Sequence, residues 1–299
     1  MTVAREVAEP PALTVARRPA PAPRPEFRIP RTLMVRLGLI IASLLFMLPF
    51  YWMANSALKD IHELSSIPPT LYPHVPAFDN FVRAVTYIPF GTFLRNSVVL
   101  TAGVTIGSAI SNPLIAYGFS RIIWPGRDFV FGIVMASIFL PFPVLIVALF
   151  DIFAKLQWVD TFLPIIVPAF FGNPFFIFLM RQFFLGLPME ISEQARIDGA
   201  NEFQVFLFII LPLAKPAVAV VIIFAAVQAW GEFLTPLLFL QDETKYPLSI
   251  GLQFYRQSHD VAYNLLMAAS TLIVLPIVAL FIAFQRFFIE GVTAGSVKG

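Results

Sequence analysis

Few side chains in this sequence are of kinds that make or break covalent bonds. Cysteine is absent, so neither a disulfide nor a thiolate metal site arises. The three histidines, His62, His74 and His259, are too scattered to suggest a metal site. No Gly-Lys pair exists from which a phosphate-gripping loop could be built, so ATP is not expected to be hydrolysed by this chain. The one acid close to a long apolar run is Glu232, and no carboxylate pair or Ser/His/Asp set accompanies it. A non-catalytic protein with no cofactor or metal of its own is the expectation. What the polar residues do offer is mechanical. Glu193-Gln194-Ala195-Arg196-Ile197-Asp198-Gly199 is followed, ten residues after the glycine, by Ile209-Ile210-Leu211-Pro212. A polar helix, a glycine break and a second helix leading into an apolar run make a handle that another protein can push.

The elements that must carry this handle follow from composition. Hydrophobic residues are 58% of the 299, charged residues 13%, and mean hydropathy is +0.81, so a soluble domain could not cover itself with polar surface. A bilayer core of about 30 Å asks for roughly 20 apolar residues per helix. Six runs qualify, near 33–54, 94–119, 128–150, 161–184, 213–235 and 264–287. An all-α polytopic membrane protein with six transmembrane helices is the expected fold class. Fourteen of the 20 Lys and Arg fall on one side if the N-terminus is inside, which predicts both termini in the cytoplasm. Residues 1–32 are rich in Pro, Ala and Arg and form an expected disordered basic tail, a topology signal that also suits anionic lipid heads. A net charge of +2 and pI near 9.0 mostly reflect that bias, with no basic face for nucleic acid.

The handle, about 186–212, is predicted in detail. Pro188 suits a first helical turn, with Glu190 and Glu193 complementing the dipole. Gly199 supplies a left-handed helix end after Asp198. Asn201 with Gln204 reads as a capping box for the second helix, which Pro212 and Pro216 kink as it runs into span five. The acidic residues Glu190, Glu193, Asp198 and Glu202 argue against a helix merely lying on lipid.

This spacing resembles the EAA loop of ABC importer permeases, E-A-A-x-x-x-G, nine residues, then I-x-L-P. Glu193, Ala195, Gly199, Ile209, Leu211 and Pro212 match in register, with Gln194 in place of the middle alanine. Ala116-Tyr117-Gly118-Phe119-Ser120-Arg121 with Trp124-Pro125-Gly126-Arg127, Trp230-Gly231-Glu232-Phe233-Leu234 and the ending Gln285-Arg286 through Gly291 to Gly299 narrow the resemblance to the MalG-like branch of maltose-type carbohydrate importers. It covers 33–299, which is expected to be one permease domain. The resemblance implies a prokaryotic inner-membrane subunit, importing a di- or oligosaccharide. It implies a second homologous permease, two ATP-binding subunits that hold the ATP and Mg, and an extracytoplasmic sugar-binding protein. Glu193, Gln194, Ala195, Asp198, Gly199, Leu211 and Pro212 would then couple to the ATPase: Glu193 by polar contacts, Ala195 by close approach and Gly199 by setting the turn.

The cargo path is expected along spans three and four, whose Pro141, Pro143, Pro164, Pro168 and Pro174 free backbone carbonyls that need protein or a wet cavity. Asn173, Gln228, Trp230 and Glu232 are the residues of the right kind to hold sugar hydroxyls and ring faces; for Trp230 an interfacial anchor and for Glu232 a water-facing rim are alternatives. Gly103 and Gly107, with Ser108 and Ser111, mark close helix packing against an undecided neighbour. Tyr72, Tyr246, Tyr255 and Arg256 are candidates for docking the binding protein. Cargo such as a glycerol phosphate or polyol is an alternative, and an ion-coupled carrier a further one, though it should show inward carboxylates or paired broken helices.

Overall fold

The computed structural model describes residues 31–256 and 262–296, and their regular structure is helical throughout. The expected disorder of the N-terminal tail, His259, and the last three residues of the matched C-terminal ending lie outside the described residues. The chain divides after Leu48 into two units. The first holds the larger part of span one, Thr32–Ala57; within it the Ser43 hydroxyl donates back to the Leu39 carbonyl at 2.8 Å. All that follows concerns the second unit.

Span two, Phe90–Ser120, is the helix around which this unit packs. Its 31 residues extend about 46 Å at 1.5 Å each, well beyond a hydrocarbon core of about 30 Å, so its ends project past the apolar layer. Span five, Lys215–Gly231, and the Pro174–Leu185 helix of span four pack against it. Span six, Tyr263–Gln285, is the apolar part of a helix that runs on to Ser296 and lies against span five. One buried cluster gathers at the Ser120 end of span two, around Tyr117, Met180, Phe184, Val205 and Ile210. A second sits at the Phe90 end, around Phe93, Leu248, Tyr255 and Leu265.

Two expected spans are not straight. The run near 128–150 is Arg127–Phe139 followed by Phe142–Lys155, bent by 104°. Proline forces the residue before it out of the helical region, and Leu140 (ψ 109°) before Pro141 obeys. Span four breaks too: a tight 3-10 stretch, Val167–Phe171, ends at Gly172 (φ +92°), and Asn173 caps the next helix by accepting from the Phe175 and Phe176 amides.

The neighbour of the Gly103/Gly107 pair is within this chain. A Cβ at Gly103 would come within 2.7 Å of Ile166, and one at Gly107 within 2.8 Å of Phe170. The glycines thus let span four press onto span two, and Ser111 donates at 2.8 Å to the Ala169 carbonyl that the 3-10 stretch leaves open.

Candidate functional site: the elbow and its ties to span two

The handle forms as two short arms. Glu190–Ile197 is its first helix, and Pro188 stands just before the Met189 N-cap instead of inside the first turn. The helix closes as a Schellman motif: Gly199 at φ +90° donates to the Arg196 carbonyl at 3.1 Å and Ala200 to the Ala195 carbonyl at 3.0 Å. Asn201 then opens the second arm with both bonds of the capping box, Gln204 N–H to Asn201 Oδ1 and Asn201 N–H to Gln204 Oε1, each 2.9 Å.

The second arm does not run straight into the membrane as the sequence suggested. After Glu202–Gln204 the backbone widens into a π-helix, Val205–Ile210, then turns at Leu211–Leu213 and bends by 80° into span five. Pro212 cannot donate to the ladder and its ring crowds the preceding turn, which a wide turn relieves. Pro216 is at home in the first turn of a new helix, so the chain restarts after Ala214. Leu211 packs on the buried cluster at this end, while exposed Pro212 lines an apolar groove of about 430 Å³ with Lys215 at its edge.

The first helix has two faces. Ser192 is buried and Ala195 packs in the cluster of Phe184 and Val205, whereas Glu193, Gln194, Asp198 and Gly199 are exposed and Ile197 is 84% exposed. The close approach expected of Ala195 toward a partner is therefore toward this chain's own core; a larger side chain there would lift the helix off its seat.

Sequence reasoning missed the residues that hold the elbow in place. Glu202, at the start of the second arm, accepts from Arg196 of the first arm (Nε to Oε1, 2.6 Å; Nη2 to Oε2, 3.2 Å) and from the Tyr117 hydroxyl of span two at 2.7 Å. One carboxylate joins three elements. The Glu202 hydrogen bond also raises the Arg196 pKa, so the pair stays charged at any physiological pH.

Arg121, just past span two, is 2% exposed, and the acceptors of its guanidinium include the carbonyls of Phe184 (2.6 Å), Leu187 (2.8 Å) and Pro188 (3.0 Å). Those carbonyls end span four, where the helix dipole favours a cation. The planar fork spans them as an ammonium could not. A Tyr and an Arg four apart at the end of span two, Tyr117 and Arg121, were the signal available in the sequence.

The four residues expected to hold sugar separate into two pairs. Asn173 and Gln228 line one cavity of about 240 Å³ beside the break in span four. Trp230 instead donates its indole N–H to the Ile273 carbonyl of span six at 3.0 Å. Glu232, half-buried, accepts on Oε1 from the Thr235 amide at 2.9 Å and hydroxyl at 3.0 Å at the start of the Leu234–Phe239 helix. Tyr255, expected in a docking loop, is fully buried, bonded to the Ala84 carbonyl at 2.7 Å and stacked on Tyr87. Burial raises its pKa.

At the Phe90 end, Asp160 ties two loops. It accepts from the Gln241 and Asp242 amides at 3.0 Å each and pairs with Lys245 at 2.6 Å, which lowers its pKa to about 2.

Comparison with known proteins places this geometry. Residues 103–293 match the model of a family described as binding-protein-dependent transport system inner membrane component. The chain is 36% identical to the arabinooligosaccharides transport system permease protein AraQ of Halalkalibacterium halodurans, over 76% of this chain and 81% of that one. It is 33% identical to the protein of the same name in Bacillus subtilis, over 92% and 98%. A trehalose/maltose transport system permease protein of Thermococcus litoralis is 28% identical over 90% and 98%. Among solved structures, a bacterial ABC transporter involved in import of the acidic polysaccharide alginate superposes with a TM-score of 0.75 at 22% identity, covering 86% of this chain and 96% of that one.

Proposed function

We infer function from membership: the chain belongs to the family of binding-protein-dependent transport system inner membrane components, the permeases of ABC importers, and it serves carbohydrate import. A di- or oligosaccharide is the cargo that the named relatives favour. The chain spans the inner membrane as a non-catalytic subunit with both termini in the cytoplasm, as the Lys and Arg bias supports. It works beside a second permease, two ATP-binding subunits and an external sugar-binding protein.

The observation that carries the coupling role is the two-faced elbow. Glu193, Gln194, Asp198 and Gly199 offer an exposed face to an ATP-binding subunit, while Ser192 and Ala195 anchor the opposite face. Tyr117 ties the second arm to span two through Glu202, and Arg121 ties span two to Pro188 and Ser192 at the start of the first arm, so a push on the exposed face is delivered to the bundle instead of being absorbed by a loop. Leu211 and Pro212 carry it through the 80° bend into span five. A ligand shifts a conformational equilibrium only through unequal affinity for its states, and here the ATPase contact supplies that inequality at one end and the loaded binding protein at the other.

Reconstitution with the ATP-binding subunits and binding protein tests this. Hydrolysis should rise on adding one member of a panel of mono-, di- and oligosaccharides. Purification as a homodimer lacking any ATP-binding partner would refute it.

A further inference from the structure

The cavity beside the break in span four has an unusual lining for the middle of an apolar bundle. Ser108 is 4% exposed, opens onto the cavity, and its hydroxyl has no hydrogen-bond partner among the described residues. Asn173 uses Oδ1 to cap the helix, which leaves its NH2 group without a partner there. The exposed Gln228 amide likewise bonds to nothing described, while lining the same space from span five. Phe176, Pro174 and Ala225 complete an apolar wall.

The site is held in shape from behind. Asn112, fully buried, donates Nδ2 to the Ser108 carbonyl and accepts the Asn173 N–H on Oδ1, both at 2.7 Å. A Cβ at Gly172 would meet Ile115 at 2.6 Å, so the break lies tight against span two. Asn112 is a positioning residue; Ser108, Asn173 and Gln228 are the groups left facing the space.

Resting on the import reading above, we propose that this cavity is a cargo subsite for one uncharged sugar ring, gripped by Ser108, Asn173 and Gln228. A hydroxyl and two carboxamides both donate and accept, as sugar hydroxyls do. The space, about 240 Å³, is open where Asn173 and Gln228 are exposed, and it suits one ring of a longer sugar whose remainder stays outside. No charged side chain lines the space, so a carboxylate or phosphate entering it would lose its hydration without gaining a cation. The subsite therefore admits neutral sugars and rejects uronic acids and sugar phosphates.

The test uses the whole transporter in proteoliposomes, with maltose, trehalose and arabinotriose as neutral probes and digalacturonic acid and glycerol 3-phosphate as anionic ones. Wild type should take up a neutral probe and neither anion. Asn173→Asp keeps the capping oxygen but replaces the free NH2 with a carboxylate oxygen, and should lower neutral uptake about tenfold, the worth of one hydrogen bond lost from transit. Gln228→Leu, at an exposed position where folding is not at stake, should do the same. Both variants should be recovered from the membrane assembled with the ATP-binding subunits as wild type is, which separates a lost grip from lost folding. Anion uptake at the neutral rate, or neutral uptake unchanged in both variants, overturns the subsite while leaving the import reading standing. Wild-type hydrolysis that no probe stimulates overturns the import reading and the subsite with it.

Discussion

Replacing Glu202 with Gln should loosen the elbow, and the geometry says by how much. The carboxylate accepts two bonds from Arg196 and one from Tyr117, but the Arg196 and Glu202 side chains are 31% and 45% exposed, so solvent screens part of their attraction. A half-exposed ion pair of good geometry is worth about 1 kcal/mol, and the phenol bond to a carboxylate about 1 kcal/mol more. Glu202→Gln should therefore cost about 2 kcal/mol and Tyr117→Phe about 1 kcal/mol. Because both act on one carboxylate, the double variant should cost about 2 kcal/mol, short of the sum by about 1 kcal/mol. Hydrogen exchange at the buried Val205 and Phe206 amides reads these values as free energies of local opening. Sugar moved per ATP hydrolysed should fall in the same order, up to roughly 30-fold for Glu202→Gln. Additivity within about 0.5 kcal/mol would show that Tyr117 and Glu202 are not coupled, and the elbow would not be clamped to span two as described.

Gly199 at φ +90° has open space around it, so Gly199→Val meets only backbone strain of about 1–2 kcal/mol; uptake should drop while hydrolysis persists, and Gly199→Asn should be nearly silent. Gly107→Leu would drive a side chain into Phe170 and Ala169 and should abolish recovery of folded protein in detergent, whereas Gly118→Leu, with nothing within 4 Å, should be recovered normally. Asp160, lowered to about 2 when folded, stabilises the loop tie above its unfolded pKa of about 3.9, and this contribution is lost as pH falls through 2. Exchange protection of the Gln241 and Asp242 amides should thus hold from pH 7 to about 4 and collapse below, while Asp160→Asn should lack it at every pH.

Runs of apolar residues made the six spans legible, because one-dimensional hydropathy is the quantity that length and composition encode. The caps were equally legible: Gly199 and Asn201 act through their own backbone and neighbours two or three residues away. The bends were not. Pro141, Pro212 and Pro216 announce that the helix must yield, but whether it yields by a kink or by 104° and 80° depends on what the next segment packs against. The hydrogen bonds of Trp230 and Glu232 were illegible for the same reason. Their bonds go to Ile273, 43 residues away, and to a helix whose start follows from a local break. Tyr117–Glu202, 85 residues apart, lay beyond any local pattern.

Span two then emerges as the element that connects the two sites. Its residues Ser108 and Asn112 form and support the cavity at the break in span four, and Tyr117 and Arg121 hold the elbow. Nine residues separate Asn112 from Arg121, about 14 Å of helix. The sequence pointed to the run from the second arm into span five, and the chain does continue there. Yet that covalent route passes through a π-helix and an 80° bend, both of which can absorb displacement. The side-chain route enters a single continuous helix at two points, through a shared carboxylate and a five-donor fork. Span two stays helical from Phe90 to Ser120 even through Pro113, so the elbow has a side-chain route to Ser108 that bypasses the π-helix and the 80° bend of the backbone joining it to span five.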